Sequence, residues 1–329
     1  MTWELSPLTA ERVPEAADLV DHWYGRARRA LPHLSGRGFP PGLELVQARL
    51  AETGCVAAAV TRRSATSGFL VAAPLDTDQD GQGALSVQPG AARVGMGGFA
   101  VVTGHEPEAL RELYVPVAAR LVVQRRLVHH VDMPADDAVA MAWFRLGFGL
   151  DHVRGLMPIK VRGRQPREVE GLAIRRAGPG DLAQVGRMAV ESARCQEQSA
   201  VFVPQPEPVL AALRDRYADT LREPRQAAWL ALRHGEDVGM VVLTPAPAGP
   251  VVPPDTVEVA EAFVEPFARG EGISRVLLAT ALAWAYDSGY RYVTARWRSG
   301  SRLSAGHWPN LGFKPVAYRL SRVLDPRLG

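Results

Sequence analysis

The chain contains the same motif twice, at a fixed distance. The segments Trp143-Phe-Arg-Leu-Gly-Phe148 and Trp308-Pro-Asn-Leu-Gly-Phe313 share tryptophan, leucine, glycine and phenylalanine at matching positions, and 308 − 143 gives an offset of 165. The same offset carries the glycine- and proline-rich loop 244–256 onto the loop-like segment 79–91. A period of this length indicates two copies of one domain, because solenoid repeats are far shorter. We therefore expect two related domains in tandem.

Length and composition agree with two domains. The chain has 329 residues, of which 47% are hydrophobic, enough for two packed cores of ordinary size. We place the N-terminal domain at 1–159, a polar linker at 160–172 and the C-terminal domain at 173–329. The net charge of +3 is small for this length. Its arginine clusters are typical of solvated helix faces, so we expect no nucleic-acid partner.

Cysteine, histidine and hydropathy patterns exclude further classes of protein. Cys55 and Cys195 have no metal-ligand neighbour at short spacing, and the eight histidines form no paired motif. We therefore expect no metal site and two thiols that are not bonded to each other. No apolar stretch has the length of a membrane span, and the first residues lack a signal-peptide pattern. These patterns predict a cytoplasmic protein without a membrane partner.

A glycine-bearing turn stands between a predicted strand and a predicted helix in the second half. The segments 227–233 and 238–243 read as two earlier strands, 258–264 reads as the next strand, and apolar residues recur at helical spacing over 277–285. Glycines 270 and 272 allow a tight turn and a close approach of the backbone to a ligand. The first amides of a helix have no internal acceptor, and the helix dipole favours an anion there. The turn therefore predicts a cradle for a pyrophosphate group.

This order of elements resembles the GCN5-related N-acetyltransferase (GNAT) family. In that family an Arg-Gly-x-Gly turn holds the pyrophosphate of acetyl-CoA, and a helix, a strand and a Leu-Gly-Phe ending follow. Here the turn is Arg269-Gly-Glu-Gly272, the strand is 290–296 and the ending is Leu311-Gly-Phe313. The resemblance covers roughly 174–322. It departs at Phe267, where the family often has Gln or Arg.

The resemblance implies a fold and a ligand. The fold is α/β with a mixed sheet, built from two GNAT-like domains in tandem, and the co-substrate is acetyl-CoA. The residues implied to bind it are Phe263, Val264, Arg269, Gly270, Glu271, Gly272, Ile273, Ser274 and Ser301. Ser301 is a second departure, because the family often has Asn at that position.

The first copy differs at the turn. Subtracting 165 from 269–274 gives Gly104-His-Glu-Pro-Glu-Ala109, which has no second glycine. Pro107 lacks an N–H that could face a phosphate, and Glu106 and Glu108 would place carboxylates beside an anion. We therefore expect the N-terminal copy to be degenerate at the CoA turn. A slip in the alignment would leave open a first copy that binds CoA through a changed turn.

Acyl transfer to an amine needs a group that takes up a proton. The carboxylates before the turn are Glu258, Glu261 and Glu265. Some members of the resembled family keep a base at the position of Glu258, so we prefer it. Glu261 would face the other side of a regular strand, although a β-bulge would reverse that. Glu265 is adjacent to Pro266, and we expect it to be only solvated.

The general acid is not settled by the residues. Many family members carry Tyr where this chain has Trp308, and an indole cannot deliver a proton as a phenol does. His307 and Tyr318 are the nearby substitutes. A core role is the plain interpretation of Trp308, and the thiolate could also leave without assistance.

These observations predict an acetyl-CoA-dependent N-acetyltransferase that acts on a primary amine of a small molecule, with the chemistry in the C-terminal domain. Protein or peptide acceptors and longer acyl donors remain open. The alternative is a non-catalytic acyl-CoA-binding or scaffold protein, which the missing Tyr and the degenerate first copy favour. We expect a monomer or a homodimer.

Overall fold

The computed structural model describes residues 3–30, 34, 39–75, 88, 90–160, 168–197 and 206–328. The chain divides into two compact units. The first unit comprises Met1–Val153, Gly249–Val251 and Pro315–Gly329, and the second comprises Arg154–Ala248 and Val252–Lys314. The predicted linker lies partly outside the described residues, since 161–167 are not described.

The first unit alternates helices with a predominantly antiparallel sheet. Its elements, with a 3-10 helix Ala10–Arg12 before α1, are β1 (Glu4–Ser6), α1 (Val13–Arg29), α2 (Gly42–Leu50), β2 (Val56–Arg62), β3 (Ala65–Leu75), β4 (Ala91–Val94), β5 (Phe99–Val101), α3 (Glu106–Val123), β6 (Val128–Pro134), α4 (Asp137–Phe144) and the start of β7 (Gly149–Pro158).

The second unit repeats this order of elements. After the end of β7 it contains β8 (Leu172–Arg176), α5 (Leu182–Glu197), α6 (Glu207–Thr220), β9 (Ala227–Arg233), β10 (Glu236–Pro245), β11 (Thr256–Val264), α7 (Ile273–Asp287), β12 (Tyr292–Arg298) and α8 (Ser304–Leu311). Short 3-10 helices lie at Pro179–Asp181 and Pro266–Ala268. The predicted repeat of one α/β domain is confirmed.

The last strand, β13 (Lys314–Val323), corrects the predicted domain boundary. We expected 173–329 to form one domain, but residues from Pro315 onward belong to the first unit. The reason is that β13 pairs antiparallel with β6, from Ala317 opposite Pro134 to Val323 opposite Val128. Conversely, β7 crosses the division, and its residues from Arg154 onward belong to the second unit.

Each unit contains a parallel pair of strands within its sheet. In the first unit the order is β1-β2-β3-β4-β6-β13, with β5 also paired to β3, and β4 runs parallel to β6. In the second unit the order is β7-β12-β11-β10-β9-β8, and β11 runs parallel to β12. The parallel pair is where a strand leads into a helix and the helix returns to the neighbouring strand. In the second unit, that helix is α7.

The repeated motif forms a matching core contact in each unit. Trp143 and Phe148 pack edge to face with ring centroids 4.9 Å apart, and Trp308 and Phe313 do so at 5.2 Å. Both tryptophans are buried, which gives them the core role that their positions allowed. Across the part of the chain that the structure describes, no helix combines the length and the apolar composition needed to cross a membrane.

Candidate active site

The glycine turn lies between β11 and α7, as predicted. After β11 ends at Val264, a 3-10 helix and the turn lead to Gly272, which caps α7 without a side chain. Gly270 and Gly272 have φ angles of 86° and 90°, in the left-handed region that favours glycine. A Cβ at Gly270 would meet nothing within 4 Å. The space beside Gly270 is therefore open, which leaves room for an anion at the turn before α7.

Side chains anchor the turn from behind. Arg269 donates from Nε to the carbonyl oxygen of Val264 at 2.9 Å and from Nη2 to Cys195 Sγ at 3.6 Å. Its guanidinium also lies 5.8 Å from the ring centroid of Phe263. Ile273 is 1% exposed, which fixes the first residue of α7 in the core. These contacts engage the Arg269 side chain and hold the backbone of the turn in place. The backbone amides of the turn are therefore better placed to bind a pyrophosphate group than the Arg269 side chain is.

Glu271 is held to one side of the turn. Its carboxylate pairs with Arg233 at the end of β9, with 2.5 Å between Oε2 and Nη1. Sequence reasoning missed Arg233, because the two residues are far apart in the chain. The ion pair neutralises the one carboxylate that the turn itself carries.

A β-bulge places two carboxylates on one face of the sheet. On β10 the partners of Glu258 and Glu261 are Thr244 and Val242, and the register shifts between them. Because the two β10 residues stand two apart in a strand, they point to the same face, and so do their partners. Ala260 is the extra residue of the bulge. The bulge thus turns Glu261 to the same face as Glu258, which is the alternative that the sequence left open.

Glu261 lies among hydroxyl groups of two helices. Ser192 of α5 donates to Oε1 at 2.7 Å, and Tyr217 of α6 donates to Oε2 at 3.5 Å. Burial raises the pKa of Glu261 to about 7, against the two hydroxyls and the backbone N–H of Ala262, which lower it. A carboxyl group that titrates near neutrality is suited to take up a proton in catalysis.

Glu258 has different surroundings. Its side chain is 4% exposed, and Oε1 accepts from Arg296 Nε at 2.8 Å. A second guanidinium, that of Arg154, lies 3.8 Å from the same oxygen. The ion pair links β11 to β12. Neither arginine was predicted, although the repeat offset relates Arg154 to Arg319 of the first unit.

The second unit matches a family model. Residues 191–313 match the model of the acetyltransferase (GNAT) family. This segment is a GNAT domain. This match confirms the family resemblance stated from the sequence. A GNAT domain supports acyl-CoA-dependent acetyl transfer. The chain matches none of the curated proteins.

Solved structures extend the GNAT likeness beyond this segment. The match to a GCN5-related N-acetyltransferase from Sphaerobacter thermophilus covers 98% of this chain and 95% of the other chain, with 15% sequence identity and a TM-score of 0.58. A tandem GNAT protein from the clavulanic acid biosynthesis pathway covers 98% of both chains at 15% identity, with a TM-score of 0.48. At 15% identity, the first of these likenesses establishes a shared fold.

The candidates for the general acid lie in different units. His307, on α8 of the GNAT domain, packs against Trp308 with ring centroids 5.3 Å apart. Burial lowers the pKa of His307, and Arg275 adds to this, so the ring is neutral at pH 7 and a weak proton donor. Tyr318 belongs to the first unit and donates to Asp137 at 2.9 Å. Burial and this hydrogen bond raise the pKa of Tyr318.

Ser301 has a local structural contact in the GNAT domain. Its hydroxyl oxygen accepts from the backbone N–H of Ser304 at 3.3 Å, at the start of α8. In the first unit the matching Asp136 caps α4 by accepting from Ala138 and Val139 at 3.2 and 3.3 Å. Both side chains thus accept from the backbone at the start of the matching helix, and a role of Ser301 in binding CoA stays a prediction.

The corresponding turn of the first unit is shorter than that of the GNAT domain. β5 ends at Val101 and α3 begins at Glu106, whereas Val264 and Ile273 are nine residues apart. The backbone N–H of Gly104 donates to the Glu106 carboxylate at 2.9 Å, so a carboxylate of the chain itself occupies this turn. An incoming phosphate would meet a like charge there. The geometry supports the expectation of a degenerate first copy.

Proposed function

We propose that the GNAT domain transfers an acetyl group from acetyl-CoA to a primary amine of a small molecule. The observation that carries this is the open turn with left-handed Gly270 and Gly272, which begins α7 directly after the strand that bears Glu258 and Glu261. A cradle for the donor and a group able to accept a proton thus lie on the same strand-turn-helix segment. Acceptors that carry the amine on a peptide are outcomes of the same test.

The residues of the domain have distinct tasks in this reaction. Backbone amides from Gly270 to Ser274 hold the pyrophosphate, with the dipole of α7 behind them. Arg269 and Ile273 keep that backbone in place through their contacts with the body of the domain. Acetyl-CoA supplies an acyl group on a thioester, and a carboxylate on β11 takes the proton that the amine must lose before it can attack.

The leaving thiolate needs no dedicated acid in this proposal. His307 is neutral at pH 7, because its pKa is lowered, and Trp308 packs in the core on Phe313. A thiolate is a weak enough base to leave into water and take up its proton there. His307 and Tyr318 remain predictions for an acid that would speed this step.

A second function has one observation in its favour. The position at which many related enzymes carry Tyr is filled by Trp308, which is 8% exposed and has no acidic hydrogen. A protein that binds acyl-CoA without turning it over would tolerate this replacement. Donor binding without transfer to any amine would select this function over the enzymatic one.

The test is release of free CoA from acetyl-CoA with a panel of small primary amines, comparing the wild-type protein with Gly270→Glu. The variant adds bulk and negative charge to the cradle, so both transfer and acetyl-CoA binding should be lost. The matched control is Gly289→Glu at the other end of α7, where φ is 94° and a Cβ would also meet nothing within 4 Å. Equal loss in both variants, or retained binding in Gly270→Glu, would contradict the placement of the site.

A further inference from the structure

The cluster of charges around Glu258 has a counterpart in the first unit, in which the carboxylate stands on the other strand of the parallel pair. There Arg319 on β13 donates from Nε and Nη2 to the two carboxylate oxygens of Asp132 on β6, at 2.8 and 3.3 Å. Burial raises the pKa of Asp132, but the guanidinium groups of Arg319 and Arg93 outweigh it and hold the pKa below its ordinary value. Arg93, on β4, therefore lies within electrostatic reach of this pair.

Two members of each cluster occupy matching positions on the parallel strands. Arg93 and Glu258 are related by the offset of the repeat, since 258 − 93 is again 165. Arg93 pairs with His130 on β6, and Asp132 stands two residues beyond His130. Likewise, Glu258 pairs with Thr294 on β12, and Arg296 stands two residues beyond Thr294. The first unit thus has Arg and Asp where the GNAT domain has Glu and Arg.

The third member matches as well. Arg319 and Arg154 are related by the same offset. The backbone around them repeats, because the N–H groups of Leu324 and Ile159, which the offset also relates, make main-chain hydrogen bonds of 2.8 Å at equivalent places. Each unit therefore carries a cluster of two guanidinium groups and one carboxylate at the same three positions.

The exchange of charges bears on the role of Glu258. An ion pair links two strands equally well whichever strand carries the carboxylate. A proton acceptor, in contrast, cannot be replaced by a guanidinium, which stays protonated in proteins. The carboxylate is tied to a different neighbouring strand in each unit, Glu258 of β11 to Arg296 of β12 and Asp132 of β6 to Arg319 of β13. What the two units share is one carboxylate held by guanidinium groups. Because the cluster recurs in a unit whose turn is occupied by its own carboxylate, it gives Glu258 a structural task that does not depend on acetyl transfer.

Glu261, in contrast, has no counterpart in the first unit. The break between β4 and β5 carries Gly95-Met-Gly-Gly98 instead of the bulge with Glu261. The N–H of Gly97 donates to Tyr24 Oη at 2.7 Å, and a Cβ at Gly97 would lie 2.5 Å from that of Leu45. The residue that the offset relates to Glu261 is Met96, which has no titratable group. The bulge carboxylate therefore belongs to the GNAT domain alone.

We infer that Glu261 is the proton acceptor for the amine, and that Glu258 is a structural carboxylate that ties β11 to β12. The inference rests on the proposed function and assigns its chemistry to one residue. Ser192 and Tyr217 each occupy one oxygen of Glu261. A carboxylate has about four acceptor positions, so room remains for the ammonium group of an acceptor.

The proton balance of the step is simple. The ammonium nitrogen loses one proton to Glu261 and becomes a neutral amine, whose lone pair forms the new C–N bond. The C–S bond of the thioester breaks, and its electron pair stays on sulfur. The nitrogen then loses a second proton, which ends on the thiolate through water. Glu261 returns its proton to solvent, and the products are an amide, a thiol and one proton.

The groups that face Glu261 set the pH at which it works. They are Ser192 from α5, Tyr217 and Arg216 from α6, and the Ala262 N–H on its own strand, while Val242 lies opposite on β10. Burial dominates over all of them and raises the pKa of Glu261 to about 7. The carboxylate is thus half ionised near neutral pH.

The first experiment exchanges the charges of the GNAT cluster. Glu258→Arg combined with Arg296→Asp reproduces the arrangement of the first unit at these positions. Each single change gathers like charges and should lower the melting temperature, and the double variant should recover most of that loss and still transfer acetyl groups. A double variant that recovers its melting temperature but loses transfer would assign the base to Glu258 and overturn the inference.

The second experiment removes the carboxylate of the bulge. Glu261→Gln should lower kcat by about 10²- to 10⁴-fold, remove the acid limb of the pH profile near pH 7 and leave the affinity for acetyl-CoA within about twofold. Glu258→Gln, which serves if the double variant does not fold, should keep that limb. A wild-type limb that persists in Glu261→Gln would overturn the inference.

A readout without turnover completes the test. With glutamate labelled by ¹³C at the side-chain carboxyl, one resonance should titrate near pH 7 in the wild-type protein and be absent in Glu261→Gln. If the wild-type protein transfers no acetyl group to any amine, the proposed function fails. If it transfers and Glu261→Gln matches it, only the inference fails.

Discussion

Arg296 on β12 donates from Nε to the buried Oε1 of Glu258 on β11, over 2.8 Å. The two strands run parallel and are joined in the chain only through α7, so this pair closes the strand-turn-helix unit that carries the CoA turn. With Glu258 only 4% exposed, removing its partner would leave a buried charge without full compensation.

The first prediction concerns that pair. Arg296→Met should lower the free energy of unfolding by about 3 kcal/mol, the low end for breaking a buried pair, because Arg154 stays 3.8 Å from the same oxygen. Arg319→Met should cost a similar amount through Asp132. Urea denaturation followed by circular dichroism measures both.

Arg194→Met is the matched control for this prediction. Its ion pair with Glu191 spans 3.4 Å, and the two side chains are 46% and 43% exposed. An exposed pair contributes less than about 1 kcal/mol. If all three variants lost the same stability, burial would not be what makes the strand-linking pairs matter.

The second prediction concerns the pH dependence of stability. The pKa of Glu261 rises from 4.5 to about 7 on folding, because the carboxyl group is buried. Between these values the folded protein keeps a proton that the unfolded chain has released, so stability falls as the pH rises through this window. Glu261→Gln has no such proton, and its stability relative to the wild type should increase from pH 5 to pH 8. Thermal unfolding across this range measures the effect.

An exposed carboxylate provides the comparison for the pH experiment. Glu236→Gln, on β10, changes the same residue type at a solvated position. The difference between this variant and the wild type should stay nearly constant from pH 5 to pH 8. A slope equal to that of Glu261→Gln would show that the bulge carboxylate is not the group responsible.

The third prediction compares two side chains that accept hydrogen bonds at the start of the repeated helix. Asp136→Ala removes two accepted N–H bonds at the start of α4, the acceptor of Trp23 Nε1 at 3.0 Å and the ion pair with Arg26 at 3.1 Å. It should cost about 2 to 3 kcal/mol. Ser301→Ala removes one accepted bond of 3.3 Å and should cost less than about 1 kcal/mol. Equal losses by denaturant unfolding would contradict the assignment of these roles.

Much of the fold follows from local pattern. The strands predicted at 227–233 and 238–243 are β9 and β10, and the helix after the glycine turn is α7. The repeat of Trp-x-x-Leu-Gly-Phe predicted two related units, because each copy needs the same tryptophan to pack on the same phenylalanine. The spacing of apolar residues and the positions of glycines predict these elements, because both patterns can be recognised within short segments of the chain.

What the sequence did not predict depends on contacts between distant segments. The pairing of β13 with β6 moved the last strand to the first unit, and no local pattern distinguishes that partner from another. The bulge at Ala260 decided the face of Glu261, and a bulge depends on the register of the neighbouring strand. The arginines beside Glu258 come from two other strands, so their proximity to it needed the fold.

The measurement that tests the central claim most directly is calorimetric titration of the protein with acetyl-CoA, in which the stoichiometry is determined along with the affinity. The account predicts one site per chain, lost in Gly270→Glu and kept in Gly289→Glu. Two sites per chain, or one site that survives in Gly270→Glu, would mean that the donor binds away from the turn before α7.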